Sequence, residues 1–153
     1  MHIEDYVVRI ANATPVQLVV INHELLVGFI DQGLAALEAE ELEPFELAIN
    51  KAKNALQQLI EGLDYETEIA QELYDLYLYA GEQLNKAFFG RDAEPARVVR
   101  QMFELLLEGW RTIEDTPDDR AQEPEIQVYA GLTYEKDGLS EYVDQDESRG
   151  FKA

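Results

Sequence analysis

The chain has 153 residues, no cysteine and a formal net charge of −20, with the acidic residues spread along its whole length. A surface of that sign repels phosphate backbones and anionic membrane faces, so neither nucleic acid nor a membrane is expected as a partner. The sequence has no apolar run long enough to span a membrane, and its start lacks the pattern of a secretory signal. These features predict a cytoplasmic protein without disulfides or thiolate metal sites.

Four helices are predicted in chain order after a flexible N-terminal segment. The first begins at Thr14-Pro15, where Thr14 is expected as the N-cap, and runs to about Glu38. The second opens at Glu43-Pro44 and ends near Gly62. It has one apolar stripe at spacings of three and four, made of Phe45, Ile49, Ala52, Leu56, Leu59 and Leu63.

The third and fourth helices carry similar stripes. Asp64 is expected to cap the third helix, which Gly90 ends, and its stripe is Ile69, Leu73, Leu76, Ala80, Leu84 and Ala87. The fourth helix starts at 92–95 and stops at Thr116-Pro117, with the stripe Val99, Phe103, Leu106, Trp110 and Ile113. The connections are too short to cross the length of a helix, so consecutive helices must turn back on each other. The sequence therefore predicts an all-α, antiparallel, up-down-up-down four-helix bundle over residues 1–115.

Residues 116–153 are interpreted as an acidic, mostly irregular tail that is flexible or becomes ordered by a partner. Helical periodicity does not return after Pro117, and ten acidic residues stand against four basic ones. The tail nevertheless contains several apolar side chains: Ile126, Val128, Tyr129, Leu132, Tyr134, Leu139, Tyr142 and Val143. This composition suggests the hypothesis that the tail occupies the partner-binding groove until a partner displaces it.

The first and third predicted helices carry more apolar residues than one core stripe needs. In the first helix, Leu18, Ile21, Leu25, Phe29 and Ala36 form the stripe, and a second apolar arc adjoins it. Such a surplus indicates either a fully buried helix or an exposed groove that takes an amphipathic helix from a partner. We predict the groove, lined by Val19, Val20, His23, Leu26, Val27, Ile30, Leu34, Tyr74, Tyr77 and Leu78.

The sequence offers little for catalysis. A di-iron bundle needs Glu-x-x-His pairs, but neither His2 nor His23 follows a glutamate at that spacing, and no glycine-rich phosphate loop or nucleophile motif is present. His23 is interpreted as a packed or partner-facing imidazole. We therefore expect no enzymatic activity, no catalytic residue, no cofactor and no metal.

Several motifs, taken in order, resemble the flagellin export chaperones of the FliS family. These are Ala13-Thr14-Pro15, the run Glu68-Ile69-Ala70, Leu76-Tyr77, and Trp110 near the end of the fourth helix. The resemblance covers about residues 3–115 and not the tail. One departure is Asn22-His23-Glu24-Leu25, which stands where the family usually has Leu-Tyr-Asp-Gly.

The resemblance implies a cytosolic chaperone that binds the C-terminal helical segment of flagellin and prevents its premature polymerisation. It would then deliver flagellin to the flagellar type III export apparatus. Ile3 and Tyr6 resemble the family's Ile-x-x-Tyr motif, which implies docking to the export gate.

The alternative hypothesis is a helical regulator or scaffold. Such a protein would dimerise, or bind another cytosolic protein, through the same apolar face.

Overall fold

A computed structural model of the chain describes residues 3–115, and the predicted tail 116–153 lies outside the described residues. Within that range the chain forms five helices and no strand: α1 (Ile3–Asn12), α2 (Pro15–Glu38), α3 (Leu42–Glu61), α4 (Glu68–Gly90) and α5 (Ala93–Asp115). The prediction of an all-α protein is confirmed for these residues. No helix is predicted before Thr14, but Ile3–Asn12 is helical and buries Ile10 completely. His2, which is expected in a flexible N-terminus, lies outside the described residues.

The start of α2 has the local structure that its sequence predicts. The Thr14 hydroxyl accepts a hydrogen bond from the Gln17 backbone N–H, and the Gln17 side chain accepts one from the Thr14 N–H. Together these bonds form a capping box, and Pro15 occupies the first turn, where a missing N–H costs nothing. Thr14 therefore fixes the point at which the chain turns from α1 into α2, the longest helix among residues 3–115.

The start of α4 differs from the prediction. The N-cap is Thr67, whose hydroxyl accepts from the Ala70 N–H, and not Asp64. Asp64 lies in the preceding turn, where its carboxylate accepts from the Glu66 N–H. Both residue types cap helices well, so composition alone could not choose between them. The turn selects Thr67 because its hydroxyl also donates to the Asp64 carbonyl.

The four longer helices contact one another in a ring: α2 with α3, α3 with α4, α4 with α5, and α5 with α2. Paired residues run in opposite order along neighbouring helices. Asn22 bonds to the Ala55 carbonyl, whereas Gly33, farther along α2, lies against Ile49, earlier in α3. The pairs Glu24–Arg111 and Asp31–Arg100 show the same reversal between α2 and α5.

The α3–α4 pair is also reversed, because Leu56 lies against Gly81 while Lys53 lies over the rings of Phe88 and Phe89. Each of these three helix pairs is therefore antiparallel. It follows that α4 and α5 run in opposite directions, so the end of α5 lies beside the start of α4.

Helix α2 lies at the centre of the core and contacts α1, α3 and α5. By length and composition it could span a membrane, and within the described residues it is the one helix that passes this test. However, 67% of its most apolar stretch is buried inside the fold, as in the central helix of a core.

Candidate protein-binding surface

An apolar surface remains uncovered on one flank of α4. Leu76 is 41% exposed and Tyr79 is 45% exposed, and Ile69 lies seven residues before Leu76 at 36%. At about 100° per residue these three side chains share one flank of the helix. The opposite flank faces α3, because Gly81 and Phe88 contact residues of that helix. The uncovered residues therefore lie on the side of α4 away from α3, which is the side toward α5.

Helix α5 has a matching apolar flank. Leu105 is 65% exposed, Ile113 is 37% exposed, and Met102 and Leu106 are half-buried against the core. The other flank of α5 faces α2 through Arg100 and Arg111, which pair with Asp31 and Glu24. The apolar flank is therefore turned away from α2 and toward α4.

The two flanks meet where α4 and α5 pack together. Tyr77 of α4 stacks on Phe103 of α5, with ring centroids 5.8 Å apart, and this pair closes the core beneath the surface. We call the surface above it the α4–α5 seam, defined by Ile69, Leu76, Tyr79, Met102, Leu105, Leu106 and Ile113. These side chains are all uncharged, but Glu72 of α4 lies on the same flank, three residues after Ile69, and is exposed.

The structure places most of the predicted groove residues elsewhere. Six of the ten are buried in the core, with at most 2% of each exposed: Val19, Val20, His23, Leu26, Ile30 and Tyr77. The expectation that these side chains form an open surface is wrong. The surplus on α2 is covered because α3 and α5 pack against it and α1 adds a further helix along it.

The other four predicted groove residues do not form one surface. Val27 and Leu34 are half-buried on α2, and Tyr74 packs edge-to-face on Tyr65 beside the α3–α4 turn. Leu78 is 44% exposed but projects from the outer face of α4, away from the seam. Contact of these four residues with a partner stays a prediction.

The predicted docking residues lie on α1. Ile3 begins the helix, and Tyr6 is half-buried against the core, with the Arg9 guanidinium 5.6 Å from the centre of its ring. Burial, followed by the nearby Glu24 carboxylate, raises the pKa of the Tyr6 hydroxyl. Glu24 also accepts from Arg9 at 2.6 Å and from Arg111 at 3.1 Å, so one carboxylate ties α1 and α5 to α2.

His23 lies in an aromatic cage and not at a reactive site. Its ring is completely buried between Tyr77, Phe103 and Trp110, with ring centroids 5.3 to 6.4 Å away. Nδ1 lies 2.8 Å from the Val19 carbonyl, to which it donates as the N–H tautomer, and Nε2 has no hydrogen-bond partner. Burial lowers the pKa of His23 to about 4, so the imidazole is neutral at ordinary pH.

A groove also lies between α2 and α5, with a volume of about 690 Å³. Val27, Gly28 and Leu107 supply its apolar lining, and the remaining lining is mostly charged. Its four acids outnumber its two arginines, Arg100 and Arg111, so the lining keeps a net negative charge. Three apolar residues line this groove, whereas seven form the α4–α5 seam.

Within residues 3–115 no three histidine, aspartate or glutamate side chains are grouped so that they could hold a metal ion. An all-helical fold with an uncovered apolar surface is instead typical of proteins that bind other protein chains.

Comparison with protein families identifies the family to which this chain belongs. The family model described as Flagellar protein FliS matches residues 5–117. The chain belongs to the FliS family, which is a family of flagellar export chaperones and not of enzymes. Comparison with curated proteins finds no match for the chain.

Sequence reasoning missed the seam because it assigned Ile69, Leu76, Leu106 and Ile113 to core stripes. One signal was present on α5, where Leu105, Leu106 and Leu107 follow one another. Three consecutive residues span about 200° of a helix, so they cannot all face one core. The structure buries Leu107 and leaves Leu105 exposed.

Proposed function

We propose that this protein is a cytosolic chaperone for flagellin, and that it binds the C-terminal helical segment of flagellin on the α4–α5 seam. Residues 1–115 form the binding domain, and 116–153 form an appended tail. The observation that carries the proposal is an exposed apolar seam on a member of a flagellar chaperone family. By covering that segment, the chaperone prevents premature polymerisation and keeps flagellin ready for delivery to the type III export apparatus.

The seam has the form that an amphipathic helix recognises. The proposal takes the four longer helices as an up-down-up-down bundle, an arrangement that the antiparallel helix pairs support. A client helix laid between two of them can place residues at i, i+3, i+4 and i+7 on the seam. Covering one half-exposed leucine contributes about 1 kcal/mol. Several such contacts together can offset the 2–5 kcal/mol or more needed to order a disordered segment, as an order-of-magnitude estimate.

The test is binding of a synthetic flagellin C-terminal peptide to Leu105→Asp. The substitution places a charge at the most exposed residue of the seam, so peptide affinity should fall by about tenfold or more while the fold is retained. The matched control is Phe89→Asp, because Phe89 is 78% exposed but lies outside the seam. Isothermal titration calorimetry measures the affinity, and circular dichroism reports the gain in peptide helicity on binding.

Two results would count against the proposal. If the unmodified protein binds no peptide at tens of micromolar, the chaperone function is rejected. If Leu105→Asp and Phe89→Asp bind as tightly as the unmodified protein, the seam is not the flagellin site. Sedimentation at two concentrations tests the alternative, because a tight homodimer that buries the seam would leave no surface for flagellin.

We also propose that Ile3 and Tyr6 contribute to docking at the export gate, as the family motif implies. Tyr6 is only partly buried, so part of its side chain remains accessible on α1. Changing both residues to alanine should lower flagellin secretion by cells while peptide affinity in vitro stays within about twofold. Loss of peptide binding in the same variant would show that α1 acts through the fold and not through the gate.

A further inference from the structure

We propose that residues 126–134 of the same chain occupy the α4–α5 seam whenever flagellin is absent. The consequence for flagellin binding rests on the function proposed above, but the intramolecular contact does not. The contact makes the tail a built-in competitor for the client site.

The direction of α5 brings the tail to the seam. Helix α5 ends at Asp115, beside the start of α4 at Glu68, because the two helices run in opposite directions. Ile113 and Ile69 lie at this end of the seam and are both partly exposed. The chain therefore leaves α5 toward residue 116 at the end of the seam that contains Ile69 and Ile113.

The spacing along the chain is sufficient for the contact. Residues 116–125 can span at most about 33 Å when extended. From Ile69 to Tyr79 the seam extends about 15 Å along α4. Residues 126–134 can therefore reach any part of the seam without tension in the connection.

The charge pattern selects this segment from the rest of the tail. Residues 126–134 read Ile-Gln-Val-Tyr-Ala-Gly-Leu-Thr-Tyr and contain no charged side chain, whereas acidic residues flank them at Glu125 and Glu135. An acidic segment would be repelled by a protein of net charge −20 and would lose hydration on an apolar surface. The neutral segment can bury its apolar side chains on the seam while its acidic flanks stay in water.

Covalent attachment makes a weak contact effective. A short flexible connection gives an effective concentration in the millimolar range, so a segment that would bind poorly as a free peptide can cover the seam for much of the time. A client must then displace it, and the apparent affinity for the client equals the intrinsic affinity multiplied by the fraction of molecules in which the seam is open.

The contact can be tested directly in the full chain without flagellin. Because the sequence has no cysteine, a single Leu105→Cys substitution accepts one spin label at a defined place in the seam. The label should broaden the NMR amide signals of residues 126–134 more than those of 139–143. A label at Leu47→Cys, which is 39% exposed on α3, serves as the matched control and should leave both segments sharp.

Two outcomes of this experiment overturn the proposal. Equal broadening of 126–134 by both labels, or none by either, shows that the segment does not sit on the seam. A mixture of two proteins shows whether the contact is intramolecular. One carries the spin label at natural isotope abundance, and the other is ¹⁵N-labelled and carries no spin label. Broadening that persists in this mixture shows that the tail binds a second copy, which rejects the intramolecular contact.

The competition with flagellin has its own test. Changing Val128 and Tyr129 to aspartate should raise affinity for the flagellin C-terminal peptide by roughly fivefold, because the seam is freed. The matched control changes Leu139 and Val143 to aspartate, which adds the same charge outside the neutral segment. Unchanged affinity in the first variant, with broadening from Leu105→Cys still present in the parent, would reject the competition. Absence of any peptide binding would instead reject the proposed function and leave the tail contact standing.

Discussion

Helix α2 and the α4–α5 seam both carry more apolar side chains than one core stripe requires, but only the seam leaves them in contact with water. On α2 the extra residues Val19, Leu26 and Ile30 are buried almost completely. On the seam, Leu76 and Leu105 keep about half of their surface exposed. The two regions look alike in sequence, since both show apolar residues on adjoining arcs of a helix.

The difference lies in the number of neighbours. Helix α2 is covered by α3 and α5 and also by α1, whereas the outer side of the α4–α5 contact has no further helix among residues 3–115. An apolar surplus therefore shows that a second covering element is needed, but it does not show whether the chain itself supplies that element.

A charge placed among the extra apolar side chains of α2, which are buried, should unfold the protein. The same charge on the seam should not. For Leu26→Asp we expect a loss of at least about 4 kcal/mol, because a carboxylate replaces a completely buried side chain. For Leu105→Asp we expect a change within about 0.5 kcal/mol, as for exposed sites in general. Urea unfolding followed by circular dichroism measures both. Similar stabilities for the two variants would remove the distinction between the regions.

The burial of His23 in its aromatic cage should make the free energy of unfolding decrease in acid. Between pH 6.5 and about 4 the unfolded chain binds a proton on this imidazole and the folded chain does not. The free energy of unfolding should therefore fall as the pH falls through this window, by up to about 3 kcal/mol from this residue.

The control for the acid effect is His23→Leu, which removes the titrating group. Unfolding of both proteins at several pH values between 4 and 7 gives the difference in stability. Relative to the unmodified protein, His23→Leu should become more stable as the pH falls, because it lacks the titrating imidazole. The carboxylates are common to both proteins, so their contributions cancel in the difference. A constant difference would show that His23 is protonated equally in the folded and unfolded chains.

The smallest expected effect concerns α1, the helix that packs along α2. Glu24→Ala removes the carboxylate that holds both Arg9 and Arg111, so α1 should open more readily by about 1 kcal/mol. Hydrogen exchange of the amides in Ile3–Asn12 should then be about fivefold faster. Glu104→Ala is the matched control, since Glu104 pairs with Arg100 and not with α1. Equal exchange in the two variants would show that apolar contacts alone hold α1.

Local signals explain which parts of the fold could be predicted. The capping box at Thr14 and the stripe from Phe45 to Leu59 involve residues only three or four positions apart, and both occur as the sequence indicates. Helix α1 was missed because a ten-residue amphipathic segment is too short to be stable alone and depends on its contact with α2. The family motifs around Thr14 and Glu68 identified the family without any knowledge of these contacts.

The sequence by itself determined the helical class, the boundaries of the four longer helices to within a few residues, and membership of the FliS family. Those properties depend on composition, periodicity and motifs that are local in the chain. Only the tertiary structure decided which apolar side chains remain exposed, burying Tyr77 against Phe103 and leaving Leu76 on the surface one position earlier. A shift of one residue rotates a side chain by about 100°, and only the packing of neighbouring helices fixes which direction is covered.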